Sequence, residues 1–264
     1  MARIAEKFRT DIATWPQLAE LVEHFSYFSG HTWLFRGVSD VQHGLVPKIG
    51  RPETRAKKIL RGKKVRVPYR LEDERAVFDM FKQQSRSYLS VEPQSPLEWL
   101  AIAQHFGLPT RLLDWTESLL IAAWFAAESG GADKDSAIWV SRGIESMPLD
   151  YKGDPFSVDV PGAYRPPHIT PRIAAQASVF VVCPEPTKEL APPFAQKVVI
   201  RRNAQFTIKK RLSACGINRR QLFPDLSGLS DHLCWMYKHD WLAGYRSDRH
   251  TTATERSTSP KETE

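Results

Sequence analysis

Apolar residues recur along the chain at two spacings, which separate its helices from its strands. Leu18, Leu21, Val22 and Phe25 fall three and four residues apart, predicting a helix over 13–28 that starts at Trp15-Pro16. Leu71, Val77, Phe78, Phe81 and Tyr88 give a second helix over 71–89. A third opens at Pro96 with Ser95 as its N-cap and stops at Gly107, where the absence of a Cβ suits the residue after a helix end. The stretch 118–128 is almost wholly apolar and reads as a buried helix, and 206–214 reads as a helix ended by Gly216. Short apolar runs predict strands at 32–36 (ended by Gly37), 110–113, 137–141, 177–183 and 197–200. Helices and strands do not alternate regularly, so the pattern argues for α+β and against a doubly wound parallel sheet.

Between these elements lie three segments without periodicity. Residues 51–70 hold Arg51, Arg55, Lys57, Lys58, Arg61, Lys63, Lys64, Arg66 and Arg70 against Glu53 alone. They read as an exposed basic loop, either contacting phosphates or simply solvated. Residues 150–171 are rich in Pro and Gly and irregular, and 247–264 are polar and read as a disordered tail. The expected organisation is one domain over 1–246, its core at about 20–235, with 51–70 as an insertion.

Composition narrows the setting. The formal charge is +7 and the pI about 9.3, which suits a polyanionic partner, although a solvated basic surface would give the same total. Cys183, Cys215 and Cys234 are odd in number and widely spaced, so they read as buried free thiols and not as disulfides or a zinc pair. The N-terminus lacks the apolar core of a signal peptide, and no apolar run approaches the roughly 20 residues of a membrane helix. These features point to the cytoplasm, with no membrane partner. The histidines form neither HxxxH nor HxH, so no metal is expected. Dinucleotide, P-loop and nucleophile-elbow signatures are missing as well.

Two segments concentrate chemistry. Gln104-His105-Phe106-Gly107-Leu108-Pro109-Thr110-Arg111-Leu112-Leu113-Asp114-Trp115-Thr116 places many hydrogen-bonding side chains between two apolar helices. Such groups must be paired, either in a structural network or around a ligand. In Leu34-Phe35-Arg36-Gly37, an Arg at an apolar strand end offers a planar fork that matches phosphate, and Gly permits close approach. The structural alternative is an ion pair between Arg36 and a carboxylate such as Asp114. Elsewhere, His105 reads as a general base or a hydrogen-bonding core group. Arg172 and Gln176, one helical turn apart, read as a ligand pair or as surface residues.

Phe35-Arg36-Gly37 and the segment 104–116, with Gly216-Ile217-Asn218 and Leu222-Phe223-Pro224-Asp225-Leu226, resemble the FRG domain family, named for its Phe-Arg-Gly motif. Members occur in bacteria and their viruses, and the resemblance implies roles in defence or toxicity. A more distant similarity is to ADP-ribosyltransferases, whose first strand ends in Arg-Gly or His-Gly and whose later strand ends in a Ser-Thr-Ser-like triplet before a helix. Here Leu112-Leu113-Asp114-Trp115-Thr116 precedes Ala122, Ala123 and Phe125-Ala126. That similarity implies a mixed, mainly antiparallel central sheet flanked by helices, with NAD as substrate.

The similarity assigns catalysis to Arg36, Asp114, Thr116 and Gln176. It assigns nucleotide contacts to Phe35, Gly37, Gln104, His105, Arg111 and Trp115, with Arg111 bound to Asp114 or to phosphate. Nucleic-acid contacts would come from Lys57, Lys58, Arg61, Lys63, Lys64 and Arg66. This sequence departs from that superfamily at Gln176, which stands where a catalytic Glu is expected and cannot carry its negative charge. Three readings therefore stand: an NAD-using ADP-ribosyltransferase-like enzyme acting on nucleic acid or protein, a silent nucleotide- or nucleic-acid-binding module, and a structural or interaction domain.

Overall fold

The computed structural model describes residues 8–26, 33–60, 63–128, 133–190 and 194–242. The expected tail at 247–264 lies outside the described residues. In chain order the elements begin with β1 (Asp11–Ile12), α1 (Trp15–Ser26), β2 (Leu34–Val38), β3 (Lys57–Leu60), β4 (Lys63–Arg66), α2 (Leu71–Ser85) and α3 (Pro96–His105). There follow β5 (Leu112–Thr116), α4 (Leu119–Ala127), β6 (Ser136–Arg142), β7 (Glu145–Ser146), β8 (Gly162–Tyr164), α5 (Pro171–Ala175), β9 (Ser178–Val182), β10 (Phe194–Ile200) and α6 (Arg202–Ala214). These belong to one compact unit, 1–217; a second, 218–264, contains α7 (Arg219–Leu222) and α8 (Leu226–Lys238).

The first unit is α+β. Its eight-stranded sheet has the order β1-β10-β6-β2-β5-β9-β8-β7, antiparallel except for the edge pairs β1·β10 and β7·β8. Phe35 stands opposite Thr116. Strand alternation therefore puts Leu112, Asp114 and Thr116 on the face of Phe35 and Gly37, while Leu34, Arg36, Leu113 and Trp115 take the other. On the first face Leu112, Phe180 and Val182 pack with Phe78 of α2, Leu97 and Leu100 of α3 and Ile173 of α5. On the second, Leu34, Leu113, Trp115, Val179 and Val181 pack with Leu45, Cys183 and Leu190 from the loops.

Several elements confirm the sequence reading and several correct it. Ser95 Oγ accepts from Glu98 N to cap α3, Ser118 Oγ accepts from Ile121 N to cap α4, and Gly107 and Gly216 take φ of +91° and +85°. The strand expected to stop at Gly37 instead runs through it: Gly37 pairs with Ile138, and a Cβ there would collide with the Ala122 carbonyl on α4. The extended piece expected at 110–113 is the strand β5, two residues later.

The basic segment read as a loop holds the hairpin β3–β4, whose strands flank the two-residue connection Arg61-Gly62. Lysine density hid a length and Gly signal that is common in hairpins. Among the thiols, Cys183 is buried but Cys215 and Cys234 are exposed, because they fall on the outer positions of helix ends and faces. No helix of the described residues is long and apolar enough to cross a membrane.

Candidate functional site

The centre of the sheet is a seam. β2 is paired with β6, and β5 with β9, along their whole lengths, yet β2 and β5 are aligned only at Phe35 and Thr116. Where these two strands part, a cleft of ≈ 360 Å³ opens. Its walls come from β2 (Phe35, Arg36, Gly37), β5, the end of α3 (Gln104, His105), α5 (Arg172, Ile173, Gln176) and the turn that carries Lys48 and Arg51. Arg36, Asp114, Thr116 and Gln176, expected from the sequence to act together, all line it.

Arg36 crosses the seam. Its Nη1 donates to the Asp114 carbonyl at 2.5 Å and lies 3.7 Å from the Asp114 carboxylate. Among the described residues those contacts leave the buried Nε without a partner, and Trp115 Nε1 on the same face lacks one too. Burial pushes the Arg36 pKa down, against the upward pull of Asp114. Gly37 lines the cleft, but its missing Cβ is needed by α4, which seats Ala122, Phe125 and Ala126 against it. The close approach that Gly permits is thus used by a helix.

The segment 104–116 splits into two parts with different duties. Gln104 Nε2 donates to the Leu112 carbonyl at 3.2 Å and to Asp114 Oδ2 at 3.0 Å. Its Oε1 accepts from Thr110 Oγ1 at 2.5 Å, and Thr110 Oγ1 accepts from Leu112 N at 3.1 Å. This chain of bonds fixes the Asp114 carboxylate, which is 58% exposed and is the one carboxylate that lines the cleft among the described residues. His105 also lines it, beside the exposed Phe106. The Trp115 indole is 2% exposed and packs in the second core, so its part in the cleft is limited to the wall.

Arg111 does not reach the cleft, nor does it pair with Asp114. Its side chain is 1% exposed and forks onto Glu74 of α2, Nε to Oε1 at 3.1 Å and Nη2 to Oε2 at 2.6 Å. Nη2 also donates to Tyr69 Oη, and Nη1 donates to the carbonyls of Phe156 and Pro184. Burial raises the Tyr69 pKa, and the Glu74 carboxylate that it bonds raises it further. A guanidinium with every nitrogen engaged in the core is a structural fastener, and Arg111, one residue before β5 begins, takes its partners from α2 and the loops.

Thr116 and Gln176 meet, but through a hydroxyl and a main-chain carbonyl. Thr116 Oγ1 donates to the Gln176 carbonyl at 2.8 Å and accepts from Ser118 N at 3.1 Å. Gln176 closes α5, and Ala177 after it has φ of +44°, a strained value for a residue with a Cβ. Thr116 therefore pins the turn that delivers β9. Arg172 and Gln176 are both cleft residues, so the helical-turn spacing was informative. Among the described residues, no group of three His, Cys, Asp or Glu could hold a metal ion.

Two cationic residues at the cleft escaped the sequence reading as site residues. Lys48 Nζ donates to the Gly107 carbonyl at 2.8 Å, and Arg51 Nε donates to the Val46 carbonyl at 2.9 Å. Lys48 lies just outside the basic run and Arg51 was counted only within it; a basic residue on each side of a Gly-containing turn was the available signal. With Arg36 and Arg172 they put four basic side chains around one carboxylate among the described residues. Such an imbalance favours an anionic ligand. The FRG domain family model matches residues 31–135, which takes in β2, β5, α4 and the 104–116 segment. No curated protein and no solved structure matches the chain.

Proposed function

For this chain, which carries an FRG domain, we propose an ADP-ribosyltransferase-like function in which the cleft takes NAD as substrate. The observation that carries the reading is the convergence of Arg36, Asp114, Thr116 and Gln176 on one open seam ringed by Arg36, Lys48, Arg51 and Arg172. The guanidinium and ammonium groups neutralise the pyrophosphate, with Arg36 supplying a fork of donors. The bond between the ribose carbon and nicotinamide breaks, and its electron pair leaves with nicotinamide. The cation left on the sugar resembles that of glycoside cleavage. Asp114 stabilises it as the carboxylate of the site, held in place by Gln104. An acceptor oxygen or nitrogen then bonds to the sugar carbon and gives up a proton. Gln176 contributes hydrogen bonds in place of a charge.

A specific observation favours a second reading, a nucleotide-binding module without turnover: Gln176 stands where the third strand would present a Glu. The exposed Asp114 side chain counts against a purely structural network. Calorimetric titration with NAD and a nicotinamide-release assay separate the readings. The enzyme reading expects binding and release in the wild type, binding without release in Asp114→Asn, and binding weakened at least about tenfold in Arg36→Ala. Binding without release in the wild type selects the module. No binding of NAD, or binding indifferent to Arg36→Ala, removes both. The free thiols lead us to place the protein in the cytoplasm, where NAD consumption would make it a toxin or defence effector.

A further inference from the structure

We propose that the hairpin β3–β4 is a nucleic-acid-binding arm that holds an acceptor strand beside the cleft. The binding stands by itself; the acceptor role rests on the NAD reading above.

Charge distribution is the first support. Residues 48–70 hold ten Lys and Arg against Glu53, a net of +9, so the other 241 residues together carry −2. This one segment therefore carries more positive charge than the whole chain nets; residues 197–220 are a second basic stretch, with eight Lys and Arg and no Asp or Glu, but none of them lines the cleft. The segment starts at the cleft, with Lys48 and Arg51 in the wall, and continues into the hairpin six residues later. Arg66 Nη1 donates to the Pro52 carbonyl and Val67 N to the Ala56 carbonyl at 2.8 Å, which fixes the hairpin base to the cleft-forming turn.

The hairpin itself gives the second support. Its register sets Lys57 against Arg66, Ile59 against Lys64 and Lys58 against Val65. Like charges directly opposite each other oppose strand pairing, and a lone two-stranded ribbon has little stability to spare. Lys57, Lys58, Lys63 and Lys64 are exposed and form no ion pair with any described residue. Ile59 is exposed as well, at 72%. A two-stranded ribbon is one of the shapes that the major groove of a duplex admits, and cations on both of its faces can also track a single strand.

The experiment is fluorescence anisotropy of the full chain with a labelled oligonucleotide, single-stranded and as duplex, between roughly 50 and 200 mM salt. The variant is Lys57→Ser/Lys58→Ser/Lys63→Ser/Lys64→Ser, whose side chains are exposed and form no ion pair with any described residue. We expect wild-type binding that weakens steeply with salt. The variant should bind at least about tenfold more weakly and lose roughly one unit of log Kd against log salt per phosphate contact removed.

Whichever oligonucleotide binds more tightly identifies the form of nucleic acid. No binding of either at the low salt overturns the proposal. So does binding that is salt-insensitive or unchanged in the variant, and so does binding of the wild type to phosphatidylserine vesicles but to neither oligonucleotide. NAD titration of the same variant should match the wild type. If NAD fails to bind either protein while the oligonucleotide result holds, the cleft reading fails and the arm stands.

Discussion

Two arginines near β5 show what a closed and an open site look like in one fold. Arg111 has every nitrogen engaged: Glu74 accepts from two, Tyr69 and two carbonyls take the rest, and the Phe156 ring stacks at 4.9 Å. Arg36 reaches across the seam to one carbonyl and, at 3.7 Å, to the Asp114 carboxylate, and leaves its Nε unmatched among the described residues. A satisfied buried cation resists any further partner, because a ligand would have to replace bonds already made. An under-satisfied one at an open cleft gains by binding. The sequence placed both in the site by motif and chemical type; partner count separates them.

The strongest way to break this comparison is to remove a partner of the closed arginine. Glu74→Ala leaves Arg111 buried and uncompensated, and truncating one member of a buried pair costs about 3–5 kcal/mol. Urea unfolding should show that loss in full. A variant within about 1 kcal/mol of wild type would mean that Arg111 is satisfied by its carbonyls alone, and the structural role assigned to the pair would fall.

Arg36→Ala should divide stability from binding in the opposite sense. The fold loses one hydrogen bond to a carbonyl, about 1 kcal/mol, whereas a charge-assisted contact to phosphate is worth about 1.5–3 kcal/mol, roughly a tenfold to hundredfold loss of NAD affinity. Urea melts and NAD titration on the same preparation measure both. If stability drops by several kcal/mol and affinity does not move, Arg36 is a second fastener, and the contrast with Arg111 disappears.

How much of this was legible follows physical range. Local signals were read correctly because their causes are local: Ser95 as a cap, Gly107 at a helix end, and the apolar α4. The α+β class and the meeting of residue 36 with 114 and 116 were also legible. Partner choice was not. Arg111 could have bonded Asp114 three residues away, and instead bonds Glu74 thirty-seven residues earlier. Nothing in the spacing distinguishes these. Gly37 was read as room for a ligand, while its neighbour is a helix 85 residues downstream, Ala122. The β3–β4 hairpin was missed for a different reason. Residues 57–59 and 63–66 are exposed, and burial is what periodicity detects.

A smaller effect tests how the open arginine is supported. Thr110→Val removes the hydroxyl that donates to Gln104 and accepts from Leu112 N. Leaving those two groups unmatched should cost about 1–3 kcal/mol. Because Gln104 then holds Asp114 less firmly, nicotinamide release should fall by a larger factor than NAD affinity does. Equal losses in both would show that Thr110 acts on the fold alone and that Asp114 needs no support.

Cys183 lies between the two arginines and offers the finest measurement. Burial pushes its thiol up to about 12, against the downward pull of Arg36 and then Arg111. At pH 8 it is therefore protonated and enclosed, and alkylation must wait for an opening. Cys215 and Cys234 are exposed and should react at once. A Cys215→Ser/Cys234→Ser variant leaves Cys183 as the reporter. NAD bound at the seam should slow its labelling a few-fold by stabilising the closed state. Glu74→Ala should speed labelling far more than Arg36→Ala does. If the two variants speed it equally, the open and closed arginines hold the same structure together, and the division drawn between them is wrong.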